Sequence, residues 1–69
     1  MEIHAEIVAN VLSVEAQEGQ RLDEGDMVVM LESMKMEIPV LTETSGTLTK
    51  IAVAKGDVVQ AGDLIAVVE

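Results

Sequence analysis

The sequence predicts an all-β fold of two small packed sheets related by quasi-two-fold symmetry, and three observations carry that expectation. The chain repeats itself, since a shift of 37 positions aligns Gly19 with Gly56, Gly25 with Gly62, Asp26 with Asp63 and Glu32 with Glu69. Apolar positions follow the same shift: Val11 onto Leu48, Val14 onto Ile51, Leu22 onto Val59, Met27 onto Leu64, Val28 onto Ile65 and Leu31 onto Val68. Glycine-led turn signals recur so closely that no helix of ordinary length fits between them. The apolar runs are short, and they either alternate with polar residues or are partly β-branched.

Taken in order, Ile3-His4-Ala5 alternates as an edge strand. His4, the only histidine, reads there as a solvated or capped imidazole rather than a catalytic base. In VLSVEAQ, residues 11–17, Leu12, Val14 and Ala16 alternate with polar neighbours at the strand period of two. The EGQ turn ends that run, a short strand around Leu22 follows, and EGD turns the chain again into MVVML. That last run is apolar on both faces, which suits a strand clamped between two layers of sheet. The second half repeats the plan with a strand from Gly46, a short strand in IAVAK, the turns KGD and AGD, and the apolar run LIAVV. In such turns Gly accepts a positive φ and Asp bonds back to the backbone. None of these glycines has the spacing of a phosphate loop and no carboxylates have the periodicity of a calcium loop, so the Gly-Asp pairs read as turns.

Composition bounds the rest. Sixty-nine residues make one domain, 1–69, with quasi-repeats of about 1–32 and 38–69 on either side of residues 33–37. This is near the lower size at which a core holds a fold without disulfides or metal. With no Phe, Tyr or Trp, the core is Val, Ile, Leu, Met and Ala. The absence of cysteine excludes disulfides, thiolate catalysis and cysteine-ligated metal centres. A net charge of −9 argues against nucleic acid or an anionic membrane as partner. The N-terminal MEIHAEIVAN has neither the basic start nor the apolar segment of a signal peptide, and no run approaches the roughly 20 apolar residues of a membrane span. The expectation is a cytoplasmic protein.

One stretch has no partner in the repeat. In ESMKMEIP, residues 32–39, Glu32 corresponds to Glu69 and Ile38 to Met1, so the residues between them map onto the gap between the chain ends. Termini usually lie at the surface, so Lys35 is expected exposed. A tight two-residue hairpin wants positive φ and normally uses glycine, yet this chain offers Met34 and Lys35. Such breaches of local rules fall most often at functional sites. On spacing alone, Lys35 also reads as a solvated hairpin lysine, and Met34 and Met36 as core side chains on one strand face. Exposed beside the lysine, the methionines would instead make a soft apolar recognition surface, the only exposed apolar feature expected, and a monomer is the default.

Glu32-Ser33-Met34-Lys35-Met36 resembles the biotinylation motif E-[AS]-M-K-M of biotin carboxyl carrier domains, and the whole chain resembles the biotin/lipoyl attachment family. The strand Gly46-Thr47-Leu48 begins eleven residues after the lysine, as in the family. The short length and the start at Met1 are most similar to free-standing attachment proteins. The resemblance implies a flattened β-barrel of two four-stranded antiparallel sheets, a barrel-sandwich hybrid, with Lys35 on an exposed hairpin. It implies that a biotin protein ligase joins biotin to the ε-amine of Lys35. The tethered biotin then carries carboxylate between biotin carboxylase and carboxyltransferase sites, the chemistry belonging to the partners and the cofactor. Met34 and Met36 would serve ligase recognition or carboxyl transfer, and Glu32 and Ser33 fill the first two motif positions, with a part implied for Glu32 in excluding the lipoyl ligase. Val8-Ala9 stands where many relatives have Pro-Gly, which leaves the backbone there open. No Ala/Pro-rich linker and no extra protruding loop point to a particular carboxylase.

Two rivals share the fold. A lipoyl carrier also modifies a hairpin lysine, but its motif usually places Asp-Lys-Ala at the tip. An unmodified barrel-sandwich binding module would lack the Met-Lys-Met tip altogether.

Overall fold

The computed structural model describes all 69 residues. It contains eight strands and no helix: β1 (Glu2–His4), β2 (Ala9–Val14), β3 (Arg21–Leu22), β4 (Met27–Ser33), β5 (Met36–Leu41), β6 (Gly46–Ile51), β7 (Val58–Val59) and β8 (Leu64–Val68). They form two four-stranded antiparallel sheets in the orders β1-β8-β6-β3 and β5-β4-β2-β7. Advancing each label by four turns the first order into the second. The expected all-β fold of two sheets is therefore observed.

The 37-residue shift carries the fine structure as well as the order. In β2 the register with β4 slips between Val11 and Ser13, and in β6 the register with β8 slips between Leu48 and Lys50. The extra residues, Leu12 and Thr49, are 37 apart. The β4–β5 register slips across Val28 and the β1–β8 register across Ile65, again 37 apart. Each slip is a β-bulge, which bends its strand and breaks the strict alternation of side chains.

Those bulges correct two sequence expectations. MVVML reads as apolar on both faces, but Met27 is exposed and Met30 half-buried, while the adjacent Val28 and Val29 are both fully buried. The bulge at Val28 interrupts the alternation, so neighbours share the interior without a second layer covering the outside. In β2 the buried residues are Ala9 and Val11, whereas Leu12 and Val14 are half-buried. The strand also stops at Val14, and of IAVAK only Ile51 is in a strand. Beyond Ile51 the Ala52 amide still donates to the Ile65 carbonyl at 2.8 Å, and the chain then heads into its next turn.

The four glycine turns follow the expected chemistry. Gly19, Gly25, Gly56 and Gly62 have φ of 89°, 92°, 92° and 93°, each at the third position of a turn closed by a backbone hydrogen bond. A type II turn requires positive φ there. In each, the residue after the glycine accepts a hydrogen bond on its side chain from the amide three residues earlier: Gln17 to Gln20, Asp23 to Asp26, Ala54 to Asp57 and Gln60 to Asp63, at 2.9–3.0 Å. These contacts pin the two-residue strands β3 and β7, whose Leu22 and Val59 enter the core. Fully burying a side chain of that kind stabilises by about 1.5–3 kcal/mol.

The core is aliphatic and continuous across both sheets. Its one buried polar residue, Thr42, donates its hydroxyl to the carbonyl of Thr44 and accepts from the Thr44 amide. Sequence reading missed Thr42, because its counterpart 37 positions earlier is Ala5. Exposed apolar surface is also wider than the expected methionine tip, since Ile7, Val8, Leu41 and Val58 are exposed too.

Candidate functional site

The β4–β5 hairpin is the longest pairing in the molecule, running in register from Val29–Val40 to Ser33–Met36. Its neighbour β2 pairs with β4 only as far as Asn10–Glu32. The last hairpin pair and the turn therefore overhang the sheet. The turn is two residues, Met34 and Lys35, with φ of 53° and 64°. Positive φ at both central residues defines the type I′ turn, whose twist matches that of the flanking strands. These are the only non-glycine residues in the protein with positive φ. A left-handed conformation costs an L-residue roughly 1–2 kcal/mol.

Met34 is 88% exposed and Met36 59% exposed. The possibility that they are core side chains on one strand face is thereby excluded. The overhang leaves no sheet for them to pack against. Lys35 is exposed, and its ammonium has no carboxylate within ion-pair distance; the only close contact of a basic side chain with a carboxylate is His4 with Glu2 at 3.4 Å. Lys50 and Lys55 are also exposed and unpaired, so backbone conformation and company distinguish Lys35, not charge pairing. Glu32 and Ser33 are half-buried at the base of the tip.

Beside the turn lies a shallow depression of about 300 Å³ that brings Glu32, Ser33, Met34 and Lys35 together with Val8, Ala9 and Asn10. Ala9, where the sequence leaves the backbone open, has no positive φ and pairs with Val59 as an ordinary strand residue. Its counterpart Gly46 differs: a Cβ there would lie 2.5 Å from the Glu69 carbonyl oxygen. His4 sits on edge strand β1, exposed, with Glu2 beside it. No group of three or more His, Asp or Glu side chains is placed to hold a metal ion.

The molecule is thus an eight-stranded barrel-sandwich that presents an exposed, unpaired lysine between exposed methionines at a hairpin tip. The chain belongs to the biotin/lipoyl attachment family, whose model, described as "Biotin-requiring enzyme", matches residues 2–68. It is 62% identical over 68 residues to the biotinylated protein TB7.3 homolog of Mycolicibacterium smegmatis, covering 99% of this chain and 96% of that protein. It is 57% identical over 67 residues to the homolog of the same name from Mycobacterium leprae, covering 97% and 94%. Among solved structures it is similar to Kluyveromyces lactis urea carboxylase, with a TM-score of 0.94 and 35% identity, covering all of this chain but 6% of that one. The lipoyl domain of the Azotobacter vinelandii 2-oxoglutarate dehydrogenase complex matches with a TM-score of 0.80 at 21% identity over 97% of this chain and 95% of that one, which shows a shared fold only.

Proposed function

We propose that this chain is a biotin carrier, with biotin held as an amide on Nζ of Lys35. The observation that carries the reading is the tip itself: an exposed, unpaired lysine in a left-handed two-residue turn between two exposed methionines. Family membership and relatives named as biotinylated proteins support it. The residues present fit the group, because the amine stands clear of the sheet and no carboxylate competes for it.

In the proposed modification a biotin protein ligase supplies biotin activated by ATP as an adenylate. Nζ attacks the acyl carbon, the amide bond forms, AMP leaves, and the amine's proton passes to the ligase or solvent. The strained turn fixes where the base of the Lys35 side chain stands, and Met34 and Met36 offer the ligase apolar contact on both sides. Glu32 and Ser33 hold the base of the tip. When bound, biotin supplies a ureido nitrogen that takes up and gives up a carboxyl group. The protein's part is positional: the two-stranded base stays rigid while the lysine side chain swings, which keeps the carried group at high effective concentration near its partners. Those partners are proposed to be biotin carboxylase and carboxyltransferase sites, with the carrier a cytoplasmic monomer.

Intact-mass measurement after incubation with biotin ligase, biotin and ATP tests the reading. One biotin per chain is expected, with none on Lys35→Ala or Lys35→Arg. An adduct that persists in both variants would assign the site elsewhere. A lipoyl adduct alone, formed with lipoyl ligase, would make this a lipoyl carrier, and a chain left bare by both ligases would make it an unmodified module.

A further inference from the structure

A second surface, away from the lysine tip, has the makings of a docking site. β1 and β5 are each one edge of their sheet, the other edges being β3 and β7, and they do not pair with each other. Between them runs a groove of about 870 Å³. It straddles the internal symmetry, because its walls are made of counterparts 37 positions apart: Ile3 and Val40, His4 and Leu41, Ala5 and Thr42, Glu6 and Glu43. The fold thus leaves a seam where its two halves meet edge to edge.

The seam has an apolar floor and an acidic rim. Ile3, Leu31, Ile38 and Val40 lie buried or half-buried along it, while Ile7 and Leu41 remain 44% and 46% exposed. Neither tip residue Met34 nor Met36 belongs to this patch. Four exposed carboxylate residues line it, Glu2, Glu6, Glu24 and Glu43, and no lysine or arginine does. His4 Nε2 lies 3.4 Å from a Glu2 carboxylate oxygen, and the other three carboxylates have no basic side chain within ion-pair distance.

We propose that this groove binds an extended segment of a partner protein in which apolar residues alternate with lysine or arginine. The two unpaired strand edges favour an extended backbone, which can add to a sheet edge through main-chain hydrogen bonds. In an extended segment successive side chains point to opposite faces. One face then fills the floor against Ile7 and Leu41 while the other meets the glutamates. Pro39 lacks an amide proton, so β5 offers one donor fewer than an ordinary edge of its length. The surface is independent of Lys35, so it can serve a docked partner while the tip is engaged.

The test is a ¹⁵N-labelled nuclear magnetic resonance titration of the whole unmodified chain with a blocked heptapeptide of alternating lysine and valine. A glutamate–valine heptapeptide is the control. The lysine peptide is expected to shift amides of residues 2–7, 38 and 40–43 saturably, the glutamate peptide to leave them unmoved, and Glu6→Lys/Glu43→Lys to weaken the response at least tenfold with the spectrum still that of a folded chain. Shifts spread over the acidic turns at Asp57 and Asp63 would reduce the effect to nonspecific charge attraction and overturn the proposal. Shifts centred on residues 33–36, or no shifts, would overturn it too. Groove amides that move with protein concentration alone would assign the seam to a second copy of this chain instead. None of these outcomes depends on biotinylation, so the carrier reading stands or falls separately by mass.

Discussion

Met34 and Lys35 pay a conformational cost that glycine would not. Every other positive φ in the chain falls on glycine, so the exception is confined to the two residues that make the tip. Replacing Met34 by Gly should relieve the backbone and raise stability by about 0.5–1 kcal/mol in urea denaturation. The same change removes an apolar side chain that is 88% exposed, and the ligase kcat/KM for biotin transfer is expected to fall roughly tenfold or more, the equivalent of about 1.4 kcal/mol. Opposite signs in the two measurements would locate the role of Met34 in recognition. If stability fell with activity, Met34 would be a folding residue. Lys35→Arg keeps the charge and the turn but presents a guanidinium that does not acylate, so it should fold normally and carry no biotin.

Among the elements, the repeat makes its own controls. Ala9 and Gly46 are counterparts that begin β2 and β6, yet only the second is crowded, with the Glu69 carbonyl oxygen 2.5 Å from where a Cβ would stand. Gly46→Ala should therefore cost about 1–3 kcal/mol, and Ala9→Gly no more than about 1 kcal/mol. Thermal or urea unfolding of the two variants side by side would show it, and equal losses would contradict the crowding argument. Thr42 and Ala5 make a second pair. The Thr42 hydroxyl receives the Thr44 amide and donates to the Thr44 carbonyl at 2.7 Å, both part-buried. Thr42→Val keeps the shape and strands both groups, so a loss of about 1–3 kcal/mol is expected by urea unfolding.

At the scale of the whole molecule, charge opposes the fold. Nine net negative charges sit on a body 31 × 17 × 17 Å, and no lysine or arginine pairs with a carboxylate to offset them. The screening length is about 30 Å at 10 mM salt, as long as the molecule, and falls to about 3 Å at 1 M. Unlike a protein held by surface ion pairs, this one should gain stability with salt, its Tm rising by several degrees between about 10 mM and 1 M sodium chloride, since about 1 kcal/mol moves a domain of this size by ~4–8 °C. A flat or falling Tm would mean that attractive pairs outweigh the self-repulsion. The seam between β1 and β5 also belongs to this scale, because no single element contains it.

The sequence by itself determined the all-β class, the repeat, the four glycine turns and the hairpin tip with Lys35 at its end. Each of these rests on local chemistry: positive φ at glycine, short-range side-chain capping, and a spacing that leaves no room for helices. The motif residues were equally legible as a string, but whether Met34 and Met36 lay in the core or in solvent depended on the overhang of β4 and β5 beyond β2. Tertiary structure alone decided that. It also decided where the strands bulge, which is why Val28 and Val29 share the interior and why the alternation in VLSVEAQ misled. Thr42 and the acidic seam stayed hidden for the same reason: their neighbours come from segments distant in sequence, and burial is a property of what packs on top of a residue rather than of the residue itself.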